Sequence, residues 1–189
     1  MKKCNKKKGF TLVEVLVSLV VMGIAVSAIF YLFENSNRTI SETEIKSQLQ
    51  EDVQVIQERF SKLGMEAMGV EEVIFKAGST EEIQMLKLKS VMVNDNKYSI
   101  FQFEIVDKDL VLDTYEYTKD AFGNFVPNLV KSKKLSENIK SIIVKPTNSS
   151  VTDLKNATAI DVNITVEKSK GRITKDLIGQ TIVTFRNKN

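Results

Sequence analysis

Gly9-Phe10-Thr11-Leu12-Val13-Glu14-Val15-Leu16-Val17-Ser18-Leu19-Val20-Val21-Met22-Gly23-Ile24-Ala25-Val26-Ser27-Ala28-Ile29-Phe30-Tyr31-Leu32-Phe33 is the stretch whose reading decides how this chain folds. From Phe10 to Phe33 there are 24 residues and one charge, Glu14. An apolar run of roughly 20 residues is long enough to cross a bilayer as a helix. At about 1.5 Å per residue this one has length to spare. Five lysines stand in the short segment that ends at Gly9. That asymmetry predicts a cytoplasmic N-terminus and an external C-terminal part. A secretory signal peptide carries its small-residue cleavage site after the apolar region. Here Gly9 lies before it, so a cut after Gly9 leaves the apolar helix on the mature protein.

The block Lys6-Lys7-Lys8-Gly9-Phe10-Thr11-Leu12-Val13-Glu14-Val15-Leu16-Val17 resembles the N-terminus of type IV prepilins and type II secretion pseudopilins. The resemblance implies cleavage after Gly9 by a membrane prepilin peptidase and methylation of the new Phe10 amine by the same enzyme. It makes Glu14 the acid used in assembly. In a filament its carboxylate would face the N-terminal ammonium of a neighbouring subunit. In a low-dielectric helix bundle that attraction is strong and fixes axial register. A plain single-pass anchor is the competing reading. A central acid costs about 2.5–3.5 kcal/mol on insertion scales. Glu14 is near the interface, where snorkelling and the helix dipole lower that cost.

Past Phe33 the pattern changes from apolar to amphipathic. Ile45, Leu49, Val53, Ile56, Phe60 and Leu63 recur at steps of four, four, three, four and three. That spacing is one face of a helix. No proline interrupts Phe10 to Gly64, so one helix of about 55 to 60 residues is expected, far longer than the usual globular helix. The alternative is two helices with a break at Glu34-Asn35-Ser36-Asn37, where Asn and Ser are poor helix formers. Gly64 and Gly69 punctuate the expected helix end.

The rest reads as strands. Ile83 to Leu88 leads to Val91–Val93, and Asn94-Asp95-Asn96 is a turn signal. Tyr98 to Ile105 alternates, with Phe101, Phe103 and Ile105 on one face. Asp107-Lys108-Asp109 turns the chain into Leu110–Tyr117, and Phe122-Gly123-Asn124 with Pro127 marks a loop. Leu135–Val144 is open between a short helical turn and a strand at Ile142–Val144. Pro146 to Ser150 is a polar loop, and Ile160, Val162, Ile164 and Val166 form a half-buried strand. Gly171 turns the chain into Ile173, and Ile178–Phe185 is the last strand. The fold class is therefore α+β: a long N-terminal helix packed on a mainly antiparallel sheet. The expected division is leader 1–9, membrane or filament-core helix 10–33, amphipathic continuation 34–69, and β-rich domain 70–189.

Composition narrows the chemistry. The 189 residues suit one domain plus a membrane helix. Of 27 basic residues five lie in the leader, which leaves 22 against 24 acidic ones in the mature chain. There is no strong sign of nucleic-acid binding in that balance. Cys4, the single cysteine, also lies in the leader, so the mature chain has no disulfide. Histidine is absent, which excludes a histidine triad and a His-zinc site. No enzyme and no cofactor is expected. Three small clusters remain. Asp107 and Asp109 read as a solvated turn or a partial calcium site. Lys131, Lys133 and Lys134 read as a charged loop or a contact for DNA or wall polymers. Tyr115, Tyr117, Phe122 and Phe125 read as sheet core or as an interface.

Two looser matches refine the resemblance. Leu49-Gln50-Glu51-Asp52-Val53 through Phe60, Leu63 and Gly64 is similar to the post-membrane helix of J-type pseudopilins and W-type minor pilins. So is the ending Thr181-Ile182-Val183-Thr184-Phe185-Arg186-Asn187. Tyr31 stands where many major pilins carry proline, which points to a minor subunit. The resemblance implies a minor pilin or pseudopilin, first held in membrane lipid and then assembled through its N-terminal helix into a type IV pilus or type II secretion-like filament at the cell surface. Its partners would be other pilin subunits, prepilin peptidase and an inner-membrane assembly platform. A competence pseudopilin for DNA uptake and a filament-tip adhesin on the same spine are the alternatives.

Overall fold

The computed structural model describes residues 11–90, 96–148 and 153–185. Gly9, Phe10, Cys4, Val91–Val93, most of the turn at Asn94–Asn96, and Arg186-Asn187 lie outside them. Among the described residues the architecture is α+β: one long N-terminal helix followed by eight antiparallel strands, with a short 3-10 turn at Leu154–Asn156. The chain forms two compact units, one through Thr43 and one from Glu44 onward, and each is described by itself.

In the first unit the described residues from Leu12 onward are helical, as the start of α1 (Leu12–Glu66). Glu34–Asn37 does not break it. Local side-chain bonds accompany the unbroken helix here. Thr39 Oγ1 donates to the Asn35 carbonyl at 3.0 Å, Thr43 Oγ1 to that of Thr39 at 2.8 Å, and Arg38 pairs with Glu42 at 3.2 Å. Hydroxyls that bond back four residues slightly weaken a helix, so of these only the i,i+4 ion pair adds support.

In the second unit α1 lies on two sheets. One has the order β1 (Ala67–Phe75), β2 (Ile83–Ser90), β3 (Lys97–Val106), β4 (Asp109–Lys119) and β5 (Phe125–Ser136). The other has the order β6 (Ile139–Pro146), β7 (Ala159–Lys170) and β8 (Ile173–Thr184). The expected stripe Ile45, Leu49, Val53, Ile56, Phe60 and Leu63 is buried throughout. It shares one core with Leu86, Leu88, Phe101 and Phe103 of the first sheet and Ile142, Ile160, Ile164 and Val183 of the second.

The helix is keyed to β8 residue by residue. A methyl added at Gly179 would overlap Val53 Cγ1, and one added at Gly64 would overlap Val183 Cγ1. Between these close approaches Gln57 Nε2 donates to the Gln180 carbonyl at 2.8 Å, and Ser61 Oγ meets Thr181 Oγ1 at 3.1 Å. Helix and strand numbers rise together, so α1 runs along β8 in the same direction. On its other flank Asp52 Oδ2 accepts from Ser136 Oγ at 2.9 Å and from Asn138 Nδ2 at 2.7 Å. That carboxylate ties the helix to the corner between β5 and β6.

Several expected elements move. The helix stops at Glu66 and β1 starts at Ala67, so Gly69 lies in a strand and Gly64 in the helix. Gly64 serves close packing, not chain reversal. Pro127 is no loop residue but part of β5, opposite Tyr117. β5 is an edge strand, where a missing N–H costs no ladder bond. Leu135–Val144 holds no helical turn: β5 ends at Ser136, Glu137-Asn138 makes the corner, and β6 follows. The hairpins at Asp107-Lys108 and at Gly171-Arg172 stand where the sequence puts them. Asp107 has φ 59° and Gly171 has φ 63°, and Asp and Gly tolerate that region best.

Candidate functional site

The N-terminal turn of α1 is built around Glu14. Thr11 precedes the first helical residue, Leu12. Glu14 Oε2 accepts from the Thr11 backbone N–H at 2.9 Å and from Thr11 Oγ1 at 3.1 Å. The Glu14 N–H reaches back to Thr11 Oγ1 at 3.3 Å. This is a capping box: the threonine hydroxyl and the acid three residues on satisfy donors that the first turn leaves orphaned. The motif is legible as Thr11-x-x-Glu14, a signal the reading of Glu14 as an assembly acid passed over. Glu14 therefore has a partner within its own chain as well as the one expected from a neighbour.

Behind the cap the helix presents apolar side chains on every side. Leu12, Leu16, Leu19, Met22, Phe30 and Phe33 are all exposed. Ser18 and Ser27 hide their hydroxyls by donating to the carbonyls of Glu14 at 2.7 Å and Gly23 at 2.8 Å. A helix apolar all round, with its polar groups satisfied internally, suits lipid or a bundle of like helices. It is long and apolar enough to cross a membrane.

The other expected clusters resolve differently. Asp109 Oδ2 accepts from Lys134 Nζ at 2.9 Å, so that carboxylate already has a cation. Among the described residues no group of three or more His, Cys, Asp or Glu side chains is gathered to hold a metal. The lysine cluster divides. Lys134 is paired with Asp109 and Glu137, whereas Lys131 and Lys133 face a groove with Arg59 and Lys62 of α1. Residues about seventy positions apart meet there, and nothing local in the sequence signals it. The aromatic cluster divides too. Tyr117 stacks on Tyr98 at 4.9 Å and Phe125 meets Tyr98 edge-on at 5.0 Å. Tyr115 is half-buried beside them, and Phe122 stands 89 % exposed at the β4–β5 turn. Tyr98, Tyr115 and Tyr117 lie on the face of β3 and β4 opposite the core, with Phe125 of β5 against Tyr98, so none of them is part of the helix-facing core.

Residues 4–30 match the prokaryotic N-terminal methylation motif. The chain carries the type IV prepilin-like signal, and the matched stretch includes Gly9, Phe10 and Glu14. That motif marks a structural family, not a catalytic one. No curated protein and no solved structure matches the chain.

Proposed function

We propose that this chain is a minor pilin or pseudopilin. It is made as a precursor with leader 1–9, cut between Gly9 and Phe10 by prepilin peptidase, and methylated at Phe10. Residues 10–33 hold it in the membrane with the N-terminus cytoplasmic and the C-terminal domain outside. The assembly platform then transfers that helix from lipid into a filament of like helices, where Glu14 meets the Phe10 ammonium of a neighbour. Residues 34–66 continue the spine, and 67–189 carry the strands of the outward-facing domain. The observation that carries this reading is the methylation motif, which runs directly into an exposed apolar helix.

The reading requires that burial of the apolar face be supplied by something outside the chain. Lipid supplies it first and neighbouring helices later, at roughly equal apolarity, so packing and pairing decide the exchange. Mass spectrometry of the protein from native membranes tests it. The expected N-terminus is methylated Phe10, and Gly9→Leu should leave the precursor uncut. A chain that still begins at Met1 in cells with active peptidase would refute the proposal.

A further inference from the structure

Most lysines on the sheets are neutralised. Lys76, Lys87, Lys89, Lys97, Lys134, Lys140, Lys145 and Lys170 all lie within ion-pair distance of a carboxylate. Arg59, Lys62, Lys131 and Lys133 are different. Among the described residues none of the four has an ion pair, yet all line one groove of about 190 Å³. Glu66 is the only acid in its lining, Thr114 adds a hydroxyl, and Leu63 and Leu112 form the apolar floor. Lys131 lies opposite Thr114 and Lys133 opposite Leu112, so both lysines are on the face of β5 that carries the helix.

Two ordinary explanations account for only part of this. Cations in the last turn of a helix offset its dipole, but Arg59 and Lys62 lie before that turn of α1, so this covers them only weakly. Lysines on an edge strand discourage pairing with other strands, which covers Lys131 and Lys133. Neither explains why the two pairs converge on one concavity, where four like charges repel one another. A bound anion relieves that repulsion. Four cations against one acid exceed what a single carboxylate neutralises. Three of the four are lysines, point charges that suit phosphate, and arginine adds a fork of donors. No aromatic side chain lines the groove, so the stacking platform of a single-stranded nucleic-acid site is missing.

We propose that the groove between α1 and β5 binds a phosphate group bearing more than one negative charge. The ligand source is either a free phosphate compound or the phosphomonoester headgroup of a lipid such as phosphatidic acid, and both present the same kind of oxyanion. The site does not depend on filament assembly, and its test uses the unprocessed full chain.

The experiment is calorimetric titration of the full chain in maltoside micelles with inorganic pyrophosphate at constant ionic strength. Saturable one-to-one binding is expected. Lys131→Gln with Lys133→Gln should weaken it about tenfold or more, and Lys131→Arg with Lys133→Arg should restore it. Both lysines are exposed, so an unchanged Tm in the glutamine variant will exclude misfolding. Adding phosphatidic acid to the micelles separates the sources: competition assigns the headgroup, and no competition assigns a free phosphate compound. Absence of saturable binding, binding unaffected by the glutamine variant, or equal binding of succinate would overturn the proposal, the last by making the groove a seat for protein carboxylates.

Discussion

Phe60 of α1 stacks on Phe103 of β3, with ring centroids 4.0 Å apart and planes 11° from parallel. Both rings are fully buried, and the pair is where the amphipathic helix meets the five-stranded sheet. Phe60→Ala removes one ring and leaves its partner beside a cavity. The expected loss is about 3–5 kcal/mol, a large share of a typical domain's stability. Chemical denaturation measures it. An unchanged midpoint would mean that the helix stripe does not hold the sheet.

Gly64→Ala and Gly179→Ala each place a methyl where a valine already sits. Valine is stiff about χ1 and cannot swing aside. Each substitution should cost roughly 1–3 kcal/mol by overpacking. Val183→Ala should rescue Gly64→Ala, and Val53→Ala should rescue Gly179→Ala, in a double-mutant cycle. Purely additive losses would show that the backbones separate instead.

Glu14 separates its two roles through a glutamine. Glu14→Gln can still accept the Thr11 bonds of the capping box but has no charge for a neighbouring ammonium. Glu14→Ala loses both. If pairing governs assembly, both variants insert in membranes and neither enters filaments, as read by shearing and immunoblotting. Normal assembly of the glutamine variant alone would assign Glu14 to capping only.

Acid should loosen the domain through exposed pairs. Hydrogen bonding from Lys140, reinforced by its charge, holds the Glu167 carboxyl below its usual range, and Lys170 does the same for Glu44. A lowered native pKa contributes stability that is present above the unfolded value, about 4.3, and lost as pH falls through the native one. Tm should therefore fall as the pH drops through and below about 4.3, and less steeply in Lys140→Met. The effect should be small and should shrink in 1 M salt, because these pairs face water. Equal acid slopes in wild type and variant would mean that other carboxylates control the loss.

The helix and the two long hairpins were legible because their burial is regular. The stripe from Ile45 to Leu63 repeats at helical spacing, and Ile160 to Val166 alternates with one face in the core. β1 and β5 were not legible. β1 carries three register irregularities opposite β2, and its apolar residues are spread over both faces. β5 is exposed from Val126 to Lys134, so no buried face imposes alternation. The split into two sheets was hidden as well. The corner at Glu137-Asn138 is fixed by Asp52, a residue more than eighty positions away. The capping box was written in plain sequence, whereas the cationic groove exists only once α1 and β5 meet.

The alignment of α1 with β8 also has a mechanical meaning. The contacts at Val53, Gln57, Ser61 and Gly64 lie in a row, each against a β8 residue further along the strand. Tension applied at the Glu44 end of this segment pulls along that row. The contacts are loaded together in shear and do not peel apart one after another, so the domain should yield at higher force when drawn by its N-terminal end than when the helix is lifted sideways from its Glu66 end.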